Sequence, residues 1–187
     1  MTENSPTLPR KKSKISIPMF DSSLLNSITV QERSPYNDVR CQDYLLRSLN
    51  INDYSEELFK VLSQLTKADL PTFEDFEKRF NWMKDSGCYY VIICYHKDTN
   101  DIVGTATLIV EHKFIHECAT RGRVEDVVVD VKGRGKGLGK LLVSACTDLS
   151  KKLGCYKTTL ECSVDNAPFY EKLGYEKHFE KYMVQRF

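Results

Sequence analysis

Residues 124–140 read Val-Glu-Asp-Val-Val-Val-Asp-Val-Lys-Gly-Arg-Gly-Lys-Gly-Leu-Gly-Lys, and an apolar stretch, Leu-Leu-Val, follows at once. The valine-rich run bounded by turn residues predicts a buried strand. Gly135, Gly137 and Gly139 stand at alternate positions, so the backbone there is little restricted and its N–H groups can turn toward one point. The helix that follows brings its positive end to the same point, and Arg134, Lys136 and Lys140 add cations. A strand, a glycine loop and a helix in this order suit a diphosphate. Spacing narrows the kind. The triphosphate loop needs a Ser or Thr after its Gly-Lys, and here Leu141 follows Lys140. The dinucleotide pattern Gly-x-Gly-x-x-Gly fails from Gly133, where the sixth position is Leu138, and from Gly135, where it is Lys140. What remains is Arg-x-x-Gly-x-Gly at Arg134, Gly137 and Gly139.

The 187 residues allow one domain of ordinary size and an extension. A net charge of +1 gives no global field for nucleic acid or an anionic membrane. Seven cysteines are scattered, with no Cys-x-x-Cys pair and no zinc spacing, which indicates reduced thiols inside a cell. No apolar stretch nears the roughly 18 residues of a membrane span. Cytoplasmic placement is expected, or a peripheral seat on an endomembrane. Residues 1–37 read as a flexible polar N-terminal extension with a basic run, Arg10 to Lys14, and with Pro18-Met19-Phe20-Asp21 as an anchor. Residues 38–187 read as the folded domain.

Along that domain the patterns give a strand over 43–49 and a helix from Asn52-Asp53 to about Thr66. A second helix runs from Pro71-Thr72 to Gly87, with Phe73, Phe76, Phe80 and Met83 at helical spacing. Strands follow over 89–96 and 102–111, joined by a polar turn, and then over 121–130. Leu138, Leu141, Leu142, Ala145, Leu149 and Leu153 mark one face of the helix after the glycine loop. A strand over 155–162, a short helix over 165–173 and a final strand over 175–187 complete the order. The fold expected is mixed α/β, with a mostly antiparallel central sheet flanked by helices.

The loop at Arg134, Gly137 and Gly139 resembles the pyrophosphate loop of the Gcn5-related N-acetyltransferase (GNAT) superfamily, and the element order is similar as well. Further segments resemble one family within it, the glucosamine-6-phosphate N-acetyltransferases. These are residues 105–116, ending in His-Lys-Phe-Ile-His, then Gly-Arg-Val-Glu-Asp-Val-Val-Val (122–129), residues 152–162, and Asn166 to Tyr175 with Phe-Tyr-Glu-Lys. The resemblance covers about residues 42–187. It implies acetyl-CoA as co-substrate, D-glucosamine 6-phosphate as acceptor, no metal, and a homodimer that exchanges its last strand. Gly133 departs from the pattern, where a bulkier residue is common, and is expected to loosen the start of the loop.

Acetyl transfer from a thioester needs a neutral amine, a stabilised oxyanion, a protonated leaving thiolate and aligned substrates. By the resemblance, Val127, Arg134, Gly135, Lys136, Gly137, Leu138, Gly139, Lys140, Asn166 and Tyr170 bind acetyl-CoA. Tyr170 is the candidate acid, since a phenol near pKa ~10 can donate to a thiolate whose acid form lies near ~8.5. Glu125 and Asp126 are neighbours on a strand and so face opposite ways, one of them into the cleft. Glu125 or Glu161 would take the ammonium proton. Thr66, Lys113, Phe114, Ile115, His116, Glu125, Asp126, Val127, Tyr156, Lys157, Glu161 and Arg186 match the family's acceptor positions. Two other functions share parts of this pattern: acetylation of a protein amine, which predicts an open peptide groove, and a CoA-binding module without catalysis, which would lack the tyrosine and carboxylates.

Overall fold

The computed structural model describes residues 15–25, 41–179 and 181–187. The basic run at 10–14 and the linker at 26–40 lie outside them. In chain order the elements are β1 (Tyr44–Ser48), α1 (Glu56–Leu62), α2 (Phe73–Ser86), β2 (Tyr89–His96), β3 (Ile102–His112), β4 (Thr120–Val129), α3 (Leu138–Lys152), β5 (Cys155–Leu160) and α4 (Ala167–Glu171). The five strands form one sheet in the order β1-β2-β3-β4-β5. Neighbours are antiparallel except β4 and β5, which are parallel and joined through α3. This is the mixed, mostly antiparallel sheet that the sequence predicts.

Strand alternation explains why β2 is apolar on both faces. Ile92 and Cys94 point to α3 and meet Ala106, Leu108, Leu142, Ala145 and Leu149. Val91 and Ile93 point the other way and meet Leu58, Val61, Phe76 and Phe80 of α1 and α2. The sheet is therefore the middle of three layers, and both of its faces are buried there. The ends of α2 are set chemically. Thr72 accepts the Asp75 N–H at 3.1 Å, and Gly87 closes the helix in the left-handed region at φ 67°.

The segment at 15–25 is docked on the domain. Met19 donates its N–H to Leu49 at 2.8 Å, Ile51 donates to Ile17 at 3.0 Å, and Leu25 is buried against the α3 side of the sheet.

Two elements differ from the sequence expectation. The first helix stops at Leu62 rather than Thr66. Gln64 and Leu65 donate their N–H groups to Val61 and Leu62, three residues back, so the chain tightens and leaves the α-helix. The predicted strand over 175–187 is absent from the sheet. Its sequence is strand-like, but strand character is a fit to a neighbouring ladder, and no segment of the described chain pairs with the outer edge of β5. Phe179, Tyr182, Met183, Val184 and Phe187 stand exposed.

Candidate active site

The site is built around a break in β4. Thr105 pairs with Val128 and Thr107 with Glu125, so two residues, Asp126 and Val127, oppose the single residue Ala106. This is a β-bulge, and Asp126 takes the left-handed conformation at φ 52°. Before the bulge Val124 belongs to the α3 face; after it Val127 and Val129 do, while Val128 turns to α1 and α2. The simple alternation expected for Glu125 and Asp126 is thus corrected. Glu125 follows the alternation, opposite Val124, whereas Asp126 is exposed at the kink.

Beyond the bulge the chain turns through Val131–Gly133 into the glycine loop. Gly135 and Gly137 have φ of 77° and 80°, a region in which a side chain is strained. Gly137 is the N-cap of α3 and brings no side chain. The N–H groups of Leu138, Gly139 and Lys140 have no acceptor within the helix. They open into a cleft of about 330 Å³ lined by Val129, Gly133–Gly135, Gly137–Lys140 and Phe169. A Cβ at Gly139 would touch the Phe169 ring at 3.5 Å. Bare amides, a helix dipole and Lys140 fit the diphosphate of a CoA thioester. Lys136 does not line this cleft. Its ammonium donates to the Tyr44 hydroxyl at 2.6 Å and lies over that ring. Arg134 turns back, its Nε donating to the Val129 carbonyl at 3.3 Å. Gly133 is buried, and a Cβ there would come within 3.2 Å of both Leu138 Cδ1 and Val129 Cγ1. The expectation of a loosened loop start is corrected: this glycine lets two side chains close tightly over the turn.

Tyr170 sits on α4 beside Phe169, ring to ring at 4.9 Å, and its other neighbour is Tyr175 at 6.2 Å. Burial, and next the nearby Cys162, push its phenol above the ordinary tyrosine range. It therefore stays protonated at neutral pH. Asn166 is exposed, one turn ahead of Tyr170.

On the face of the sheet opposite α3, the strand ends that α1 and α2 leave uncovered carry charge. Glu111 Oε2 accepts from Lys113 Nζ at 2.6 Å and from Arg121 Nη2 at 2.7 Å. Arg123 lies next to it and reaches Glu125, Nη1 to Oε1, at 3.1 Å. Burial alone would raise the Glu111 carboxyl, but Lys113 and Arg121 outweigh it and hold it below the usual range. Glu125 is raised, by burial first; Asp126, Glu161 and Glu111 add to this and Arg123 opposes it. A half-buried carboxylate that favours its proton is suited to accept one.

Glu161 is exposed just beyond β5. His116 lies tilted against Tyr156 at 5.0 Å, and Lys157 lies over the same ring at 5.5 Å. Phe114 and Ile115 are exposed beside them, on a turn where His116, Glu117 and Cys118 all have positive φ. Thr66 is exposed after α1. Arg186 is exposed, with no hydrogen bond or ion pair to a described residue. Three arrangements escaped sequence reasoning: the Lys136–Tyr44 bond, the clasp of Gln64 on Asp130 by a side-chain hydrogen bond, and the Glu111–Arg123–Glu125 line. Only the last had a signal, opposite charges on consecutive strands. Among the described residues no group of three His, Cys, Asp or Glu is placed to hold a metal, and no helix is long and apolar enough to cross a membrane.

Comparison with known proteins agrees with this geometry. The model of the Acetyltransferase (GNAT) family matches residues 51–175. A Drosophila melanogaster protein named probable glucosamine 6-phosphate N-acetyltransferase is 46% identical over 130 residues, 70% of this chain and 59% of its own length. The glucosamine 6-phosphate N-acetyltransferase of Arabidopsis thaliana is 40% identical over 134 residues, 71% of this chain and 90% of that one. A crystal structure of the Arabidopsis thaliana enzyme superposes with a TM-score of 0.73 at 36% identity, covering 77% of this chain and 98% of that chain. A Trypanosoma brucei acetyltransferase superposes at 0.71 and 33% identity, covering 77% and 100%. From glycine cradle to charged sheet face, the chain belongs to the GNAT acetyltransferase family, in the branch of the glucosamine 6-phosphate N-acetyltransferases.

Proposed function

We propose that this protein transfers the acetyl group of acetyl-CoA to the amine of D-glucosamine 6-phosphate, giving N-acetyl-D-glucosamine 6-phosphate and CoA, a step toward UDP-N-acetylglucosamine. The observation that carries this is the β4 bulge. One strand presents Glu125 to the charged face, and directly beyond the bulge it leads into the glycine cradle. Donor and acceptor surfaces therefore meet on adjacent residues of one element, as direct transfer in a ternary complex requires.

The amine nitrogen attacks the thioester carbonyl carbon, and the C–S bond breaks as the tetrahedral intermediate collapses. Glu125, with Glu161 as the other candidate, takes the ammonium proton directly or through water. Tyr170 donates its proton to the departing sulfur and recovers one from solvent. Val127, Arg134, Gly135, the stretch from Gly137 to Lys140 and Asn166 hold the CoA moiety, and Lys136 braces the loop through Tyr44. Thr66, Phe114, Ile115, His116, Asp126 and Tyr156 shape the acceptor site. Lys157, which has no carboxylate partner among the described residues, supplies a cation for the sugar phosphate. Lys113 acts there through Glu111, to which its ammonium is committed.

The reading extends to a homodimer. The exposed apolar residues of the tail and the outer edge of β5, which no described residue pairs, complement each other between two copies. Exchange of the tails would bring Arg186 to the other subunit's acceptor site, where its fork suits a phosphate monoester. The reaction is tested by CoA release with purified protein, acetyl-CoA and a panel of amines. Turnover with glucosamine 6-phosphate, weaker turnover with glucosamine and none with a lysine peptide is the expected result. Preference for the peptide would overturn it.

A further inference from the structure

Arg123 lies between two carboxylates and completes neither pairing. Its Nε is 3.2 Å from Glu111 Oε1 and its Nη1 is 3.1 Å from Glu125 Oε1. Both distances exceed the roughly 2.7–2.9 Å of a well-made charge-assisted hydrogen bond. The Nε is also buried, with no aligned acceptor. Glu111 is differently placed. Its Oε2 is occupied by Lys113 at 2.6 Å and by Nη2 and Nε of Arg121, at 2.7 and 3.0 Å. Its other oxygen is thus the one left for Arg123, and it draws the guanidinium toward β3. The pull acts across the strand pair, from Glu111 on β3 to Glu125 on β4.

We infer that Glu111 is a positioning residue for acetyl transfer: by holding Arg123 off Glu125, it keeps that carboxylate only partly neutralised and free to receive the proton of the acceptor amine. The inference rests on the proposed role of Glu125 as proton acceptor. Were Glu111 absent, Arg123 would close on Glu125 as a full ion pair, and a carboxylate locked to a guanidinium is a poor base.

The groups that face Glu125 fix the sign. Asp126 beside it, Glu161 from the end of β5 and Glu111 from β3 are negative; Arg123 is the cation among them. Glu111→Gln removes one negative charge and frees Arg123, Arg121 and Lys113 at the same time. All of these favour ionised Glu125, so its titration moves to lower pH. Arg123→Gln removes the opposing cation, and the titration moves to higher pH.

The test follows Glu125 by carbon NMR in protein labelled at the glutamate carboxyls, with the resonance assigned through Glu125→Gln. The expected midpoints fall in Glu111→Gln and rise in Arg123→Gln. In the same variants the acidic limb of kcat moves the same way, and Glu111→Gln lowers kcat about three- to tenfold with the KM for acetyl-CoA unchanged. A midpoint that stays fixed or rises in Glu111→Gln overturns the inference and leaves the acetyl-transfer reading standing. If Glu111→Gln does not fold, Arg123→Gln decides alone, and a midpoint that fails to rise overturns it. If the midpoints move as stated but Glu125→Gln turns over at the unsubstituted rate, Glu125 is not the base, and the inference falls with that assignment.

Discussion

Gln64 holds Asp130 across 66 residues of chain. Its side-chain nitrogen donates to the Asp130 carboxylate at 2.7 Å, and its oxygen accepts the Val131 N–H at 2.9 Å. Asp130 in turn accepts the Lys132 N–H at 2.7 Å. The turn after α1, which carries Thr66, is thereby fastened to the start of the glycine loop. Gln64→Leu removes both bonds and is expected to cost about 1 kcal/mol of stability. The KM values for acetyl-CoA and for the acceptor should rise together, by roughly fivefold. Steady-state kinetics and a thermal melt check this; a rise in one KM alone would show that the clasp does not join the two sites.

Gly137 combines a left-handed backbone with a place at the mouth of the cradle. Gly137→Val adds about 1–2 kcal/mol of local strain and puts a branched side chain beside the open amides of α3. Acetyl-CoA affinity by calorimetry should drop sharply in a variant that circular dichroism shows to be folded. Unchanged affinity would remove the loop from the binding site.

Tyr170→Phe keeps the ring against Phe169 and removes only the hydroxyl. The expected result is a fall in kcat of ~10²-fold, with the acetyl-CoA KM little changed. Because the phenol is raised above its ordinary value, chiefly by burial, it remains an acid up to the alkaline range, and activity should hold there until the proton is lost. An unaltered kcat, with chemistry shown to limit turnover, would assign the proton to water.

Glu111 also makes a pH-dependent contribution to stability. Its folded-state carboxyl is held low, since Lys113 and Arg121 outweigh burial. For a lowered carboxylate the stabilisation is present above the unfolded value and disappears as pH falls through the folded one. Thermal melts should therefore separate Glu111→Gln from the unsubstituted protein at neutral pH, and the two should converge in acid.

Arg186→Ala should raise the KM for glucosamine 6-phosphate far more than that for acetyl-CoA and leave the assembly intact. Deletion of residues 182–187 should weaken dimer and activity together. Light scattering at micromolar concentration gives the mass; a fully active monomer would exclude the shared site.

The sheet was legible because its rule is local. Tyr89 to His96 is a short apolar run rich in aromatic and β-branched residues and bounded by turn residues, which suits a strand covered on both faces. The cradle was legible for a similar reason, since Gly135 and Gly137 are spaced for a turn that other residues resist. The bulge left no such mark. Asp126 is an ordinary residue in an ordinary strand sequence, and its left-handed backbone goes with the extra residue that β4 places opposite Ala106. Gln64 and Asp130, and Lys136 and Tyr44, meet only through the fold. The tail misled because a strand pattern needs a neighbouring ladder, and among the described residues none pairs with it; Gly133 misled because its neighbours, not its own freedom, decide what fits there.

The extra residue in β4 also bears on how such a site can change. Substitutions at 126 or 127 alter a side chain but leave the number of residues between the Glu125 and Val128 pairs as it is. Deleting one of the two would leave a single residue opposite Ala106 and a regular ladder, with Val128 still opposite Thr105 and Val129 still opposite Gly104. The strand would keep its faces but lose the kink, and with it the left-handed turn of the backbone at 126 between Glu125 and the glycine cradle. In this strand the number of residues between two pairs, and not only their identity, sets the direction in which the chain leaves Glu125 for the cradle.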